Sequence, residues 1–220
     1  MQDFNVDISH SLAGIVLIFS FILLYQARLF ALLNVFAAQS IALAFAVAWQ
    51  AHIQGAQHLY ITAVLALVMK GLIIPGALKR IVKHMNIHRT IETVVSANLL
   101  MLVGVGLTIL SIMVVFPVVQ LSEGMAREDL AFALAIILLG MLMMITRRNA
   151  ISQVIGFMAL ENGLILAATG AKGMPLVVEI SVAFSVLIAF FVFGIFIFRI
   201  REQFDSVDID KLSQHRGGAE

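Results

Sequence analysis

The chain has 220 residues, of which 61% are apolar and only 12% charged, with a formal net charge of +1. Soluble domains carry roughly 45–50% apolar and about 25% charged residues, so a mean hydropathy of +1.04 excludes an ordinary soluble enzyme and a disordered chain. Fourteen basic residues against thirteen acidic leave no basic excess for nucleic acid, and the lack of cysteine excludes disulfides, thiolate metal sites and iron–sulfur ligation.

What remains is an all-α integral membrane protein. A spanning helix needs about 20 mostly apolar residues to cross roughly 30 Å of hydrocarbon. In chain order, seven stretches meet that need: Ser9–Tyr25, Leu29–Trp49, Leu59–Leu78, Thr93–Phe116, Leu130–Ile145, Ala150–Ala171 and Leu176–Phe198. The gaps are short, so no soluble domain is expected between spans. The apolar runs are continuous rather than alternating, which excludes a β-barrel. Three regions follow: residues 1–129 with four spans, 130–199 with three, and a cytoplasmic tail over 200–220.

Lysine and arginine set the orientation. With the N-terminus outside, the inner face holds Arg28, Lys79, Arg80, Lys83, Arg89, Arg147 and Arg148, and the tail adds Arg199, Arg201, Lys211 and Arg216. Only Arg127 and Lys172 face outward. The C-terminus is then cytoplasmic. The start of the chain carries Asp3 and Asp7 and no basic residue, unlike a cleaved signal peptide.

Three ionisable residues fall inside these spans: Lys70, Glu161 and Glu179. A charge at mid-helix costs about 2.5–3.5 kcal/mol on insertion scales, so each needs a partner or water. Lys70 and Glu161 lie near the middle of the third and sixth spans, and Glu179 lies about 10 Å nearer the outside. Two readings stand: stations of a proton relay, or a static Lys70–Glu161 pair with Glu179 wetted at the interface. Glu92 sits at the inner end of the fourth span, at the interface.

Pro75 follows Lys70 by five residues, between Gly71 and Gly76. It clashes with the carbonyl four residues earlier, Gly71 in a regular helix, and leaves it free either for water or as an ordinary kink. Asn149, Gln153, Phe157 and Glu161 share a helix face, so Gln153 can lead water toward Glu161 with Phe157 as an apolar gap. Gly156 and Gly163 point to close helix packing. Gln39, Ser40, Asn98, Ser181 and Ser185 either solvate a channel or hydrogen-bond between helices, the latter being favoured; Asn162, with Gln153, Gln39 and Pro75, is counted as support for the proton pathway.

No P-loop, dinucleotide fingerprint or HExxH pattern occurs. The six histidines, at 10, 52, 58, 84, 88 and 215, are read as loop or tail residues. His84 and His88 have metal-compatible i, i+4 spacing but lie in a basic interfacial stretch, and Asp205, Asp208 and Asp210 are poorly spaced for calcium. No metal or cofactor is expected. A retinal protein is excluded because the last span has no lysine.

The run Thr146-Arg-Arg-Asn-Ala-Ile-Ser-Gln-Val-Ile-Gly156, continuing to Glu161-Asn162-Gly163, together with Asp208-Ile-Asp-Lys-Leu212 and Arg216-Gly217, resembles the small K-type subunit of respiratory complex I over about 130–217. The whole chain is similar to component E of hydrogenase-4 and its group 4 hydrogenase and formate hydrogenlyase relatives. Ala38-Gln39-Ser40, Lys70 with Pro75, Leu160-Glu-Asn-Gly163 and Val178-Glu-Ile180 carry that likeness. The resemblance implies a non-catalytic membrane-arm subunit in a prokaryotic inner membrane, beside antiporter-like subunits and a quinone- or hydrogenase-proximal module. It further implies coupling of redox chemistry to proton or sodium movement. Against the K-type pattern, Met158 and Ala189 occupy the two glutamate positions, so a Lys70–Glu161 centre replaces a two-glutamate relay. The alternatives are a purely structural spacer holding antiporter-like subunits together, and a stand-alone small transporter.

Overall fold

Six helices long and apolar enough to cross a membrane account for most of the described chain. The computed structural model describes residues 2–84, 91, 93–119, 127–170 and 187. All of these except Leu187 belong to one unit, Met1–Ser185. The seventh expected span, with Glu179, lies outside the described residues, as do Glu92, His88 and the tail. Among the described residues there are helices and isolated bridge positions, Thr93 paired with Arg147, and Arg28.

The first helix, α1 (Gln2–Tyr25), starts earlier than the expected Ser9. Hydropathy marks the part of a helix that meets lipid, and the polar first turns of α1 are invisible to it. Helix α2 (Leu29–Gln54) outruns Trp49 for the same reason. It ends at Gly55, whose φ of 64° is the left-handed conformation that glycine adopts without steric cost.

The third span, Gln57–Lys83, is a composite: α3 (Gln57–Leu65), a π-helical segment (Ala66–Ile73) and α4 (Ile74–His84). Next come α5 (Ala97–Val119), α6 (Arg127–Thr146) and α7 (Ala150–Gly170). The expected start of the fourth span at Thr93 is corrected. Thr93 bridges to Arg147 and the chain bends at 94–95 before α5, with Val94 N–H donating to Thr146 O at 2.9 Å. His10, His52, His58 and His84 lie on α1, α2, α3 and α4 rather than in loops.

Helices α6 and α7 form the tightest pair. A Cβ on Gly140 would lie 2.5 Å from Leu160 N, and one on Gly163 would lie 2.9 Å from Ala133 O. Gly156 is equally pressed against Met144, so both glycines expected at a helix crossing are there. Small residues allow backbones to touch where side chains would hold them apart.

The ends of the helices collect at two levels. At one, Arg147 donates from Nη2 to Leu24 O (2.8 Å) and Leu23 O (3.2 Å), and Ile91 N–H donates to Ala27 O (2.8 Å). Leu24 O belongs to the last turn of α1 and Leu23 O is shared with Gln26 N–H at 3.3 Å, so a guanidinium 2% exposed helps to close that helix. Burial lowers its proton affinity through desolvation, yet guanidinium remains charged. Two residues on, Asn149 Oδ1 accepts from Ile151 N–H at 2.9 Å and starts α7. The Arg-Arg-Asn turn thus ends one helix and begins another.

Candidate functional site

Lys70 and Glu161 meet. The ammonium Nζ lies 3.0 Å from Glu161 Oε2 and 3.1 Å from Asn162 Oδ1, and both charged residues are within 2% of complete burial. Lys70 is supplied by the π segment and the two acceptors by α7. Near mid-span on both elements there is no water-facing alternative, so the charges compensate each other.

Because an ammonium can only donate, it fixes the direction of every bond beyond it. Asn162 must turn Oδ1 to Lys70, which leaves Nδ2 to donate to Gln39 Oε1 (3.2 Å) and Ser40 Oγ (3.4 Å) on α2. Gln39 then donates from Nε2 to Ser20 Oγ at 2.7 Å, and Ser20 donates to Val16 O at 3.1 Å. The result is a one-way chain through α7, α2 and α1. Gln39, Ser40 and Asn162 are 0% exposed and Ser20 is 4% exposed. The polar residues of the second span therefore hydrogen-bond between helices.

The backbone under Lys70 is also special. Ile74 N–H donates to Met69 O, five residues back instead of four. In that register the next carbonyl in line is that of Lys70, and Pro75 has no N–H to give it. A π register carried on to Pro75 would free that carbonyl, where a regular helix would free Gly71's. Gly71 keeps the segment against α2, since a Cβ there would lie 3.2 Å from Ile41 Cγ1. π turns cost regular hydrogen bonding and collect at functional sites.

Gln153 is not part of this centre. It is exposed, and its Nε2 donates to Arg147 O at 2.8 Å. The face it shares with Glu161 passes from exposed at Gln153, through half-buried Phe157, to buried Glu161 as α7 enters the bundle. Asn98 is exposed near the start of α5. Among the described residues no cluster of three metal-ligating side chains forms.

A second buried polar cluster escaped the sequence reading. At the opposite end from Arg147, Asp129 on α6 accepts from Ser9 Oγ at 2.9 Å and lies 2.8 Å from His10 Nδ1. Gln50 Nε2 donates to Ser9 Oγ (2.6 Å), and Gln54 Nε2 donates to Gln50 Oε1 (3.2 Å) and Thr169 O (2.8 Å). The signal was available: Ser9 and Ser20 fall on one face of α1 at helical spacing, and Gln39 and Gln50 on one face of α2.

The uncharacterized protein Rv0085 of Mycobacterium tuberculosis is 30% identical to this chain over 218 residues, covering 97% of this chain and 98% of the relative. The chain belongs to that protein's family. Hydrogenase-4 component E of Escherichia coli K12 is 25% identical over 213 residues, covering 96% of this chain and 98% of its own length. Hydrogenase-4 component E of Shigella flexneri matches to the same extent. The similarity to hydrogenase-4 component E is distant but runs end to end, which fits a multi-pass membrane subunit of a hydrogenase-like complex. No family model matches the chain, and no solved structure does.

Proposed function

We propose that the chain is a non-catalytic membrane-arm subunit of a group 4 hydrogenase-type or complex I-like assembly, and that Lys70 and Glu161 carry redox-coupled proton or sodium translocation through it. The observation that carries this reading is a compensated ion pair near mid-span, seated on a π turn and tied to a one-way chain of neutral hydrogen-bonding groups. A buried ionisable pair is costly to keep where apolar residues would pack as well, and intramembrane charge of this kind marks ion pathways.

Asn162 and Gln39 orient the pair, Pro75 loosens the backbone beside it, and Glu179 is the group toward the outer end of the last span. The likeness of residues 130–217 to a K-type subunit supports the same role. The N-terminus faces outward and the C-terminus inward in a prokaryotic cytoplasmic membrane, because Arg28, Lys79, Arg80, Lys83, Arg147 and Arg148 gather at one level of the helices. Antiporter-like membrane subunits and a quinone- or hydrogenase-proximal module are the partners. The chain needs no cofactor of its own.

The test is Glu161→Gln in the native membrane complex. Coupled ion movement is lost while the complex stays assembled and its redox module still turns over. Native ion movement in the variant refutes the relay. Loss of assembly instead, with Lys70→Met behaving alike, assigns the chain as a structural spacer. Co-purification in mild detergent with mass spectrometry identifies the neighbours, and a chain that runs alone refutes the subunit reading.

A further inference from the structure

The two polar clusters lie on the same pair of helix faces. On α1, Ser9, Ala13, Val16 and Ser20 recur at intervals of four, three and four residues, and all are buried. On α2, Gln39, Leu43, Ala46 or Val47, and Gln50 recur in the same way, all buried except Gln50, which is half-buried. Ser20 pairs with Gln39 and Ser9 with Gln50, so the two faces meet along one antiparallel seam. Ser9 and Ser20 are eleven residues apart, about 16 Å along the helix. The mid-span chain ends on Val16 O, only about 10 Å from the level of Ser9. Between them the seam is lined by small or aliphatic side chains.

At the far end the bonds converge. Gln54 donates to Gln50, Gln50 to Ser9, and Ser9 to Asp129, whose other oxygen faces His10. The side chain of Asp129 is 6% exposed and that of His10 is 20% exposed. A carboxylate held just inside the fold, with a partly wetted imidazole against it, has the form of a proton-exchange group at a boundary. Its neighbours Gln50, Gln54 and Thr169 are neutral. Nothing in the Lys70–Glu161 centre itself reaches that boundary.

From this placement we infer that Asp129, with His10 and Ser9, exchanges protons between the medium and the Lys70–Glu161 centre, and that the α1/α2 seam is the route. The inference rests on the proposed function above. On uptake, Asp129 takes one proton by way of His10 and becomes the neutral acid. On release it passes that proton to water entering the seam, which carries it past the aliphatic stretch toward Glu161, and Asp129 returns to carboxylate. Lys70 does not transfer a proton in this step and remains the counter-charge. Ser9 is a positioning residue, since its hydroxyl holds Asp129 while accepting from Gln50.

The experiment uses the native complex in membrane vesicles energised by its own electron donor, reading protons moved per redox turnover. Asp129→Asn keeps the shape and can still accept from Ser9, but it cannot carry a proton. The ratio falls to about a tenth or less with assembly intact, as for loss of an obligatory proton carrier. Asp129→Glu restores most of it, which a purely structural role would not. His10→Gln keeps a donor at similar reach, and it lowers the ratio with the redox rate retained. A native ratio in Asp129→Asn, with Glu161→Gln inactive, overturns this inference and leaves the proposed function standing. Native ratios in both Asp129→Asn and Glu161→Gln overturn the proposed function as well. Where Asp129→Asn fails to assemble, His10→Gln decides: a lowered ratio supports the route and a native ratio overturns it.

Discussion

Lys70 and Glu161 stabilise one another, and a double-mutant cycle measures that dependence. Lys70→Met removes the ammonium that lies 3.0 Å from Glu161 Oε2 and 3.1 Å from Asn162 Oδ1. It leaves a carboxylate 2% exposed, and breaking a buried pair from one side costs about 3–5 kcal/mol. Glu161→Leu leaves the lysine buried without its counter-charge, at a similar cost. With both substitutions no charge is left behind. Replacing a buried pair by apolar groups of like volume is neutral or stabilising by about 1–4 kcal/mol, while the stranded Asn162 oxygen costs about 1–3 kcal/mol. The double variant therefore falls within about 3 kcal/mol of the native chain, against about 6–10 kcal/mol for the sum of the singles. Unfolding in detergent followed through Trp49, the sole tryptophan, reads all four proteins. If the double variant loses as much as the two singles combined, the residues are not in contact and the site is misassigned.

Two further outcomes test the scaffold. Gly140→Ala places a Cβ 2.5 Å from Leu160 N and forces α6 and α7 apart, lowering stability by about 1–3 kcal/mol. Gly106→Ala on α5 meets nothing within 4 Å and gains about 0.5–1 kcal/mol from helix propensity, so thermal unfolding separates the pair in opposite directions. Arg147→Met strands the carbonyl of Leu24 and leaves Leu23 O only its bond from Gln26, costing about 1–3 kcal/mol; Arg147→Lys recovers part of this, since an ammonium lacks the forked reach of guanidinium.

The spans were legible because lipid imposes a length and a composition, and Lys70 and Glu161 stood out because mid-span charge is expensive. Counting residues put them at matching depth. Their contact was not legible, since which helices are neighbours depends on packing between segments some ninety residues apart. Gln153 shows the limit of face arithmetic: it shares a stripe with Glu161, yet at its level α7 has not entered the bundle and the amide caps Arg147 instead. The π segment has no sequence code of its own. Pro75 and its flanking glycines mark the place where the helix is irregular without giving the form. Asp129 directly precedes the expected fifth span and His10 is the second residue of the expected first, so hydropathy marks both as interface positions and gives no sign that they meet. Gly140 carries no signal until Leu160 is known to cross it.

The distance along the chain between Lys70 and its partners bears on how the protein is made. Lys70 and Asn162 are 92 residues apart, and at about 5–20 residues per second α7 leaves the ribosome roughly 5–18 s after the π segment. Throughout that interval the third span carries a lysine with no carboxylate to meet, and α1 ends in carbonyls that Arg147 has not yet reached. On this timing the early helices would wait for α7 before the Lys70 pair and the Arg147 cap could close. Substitutions that weaken α7 would then be felt first as failed biogenesis of α1 and of the third span, well before any mature complex exists to be assayed.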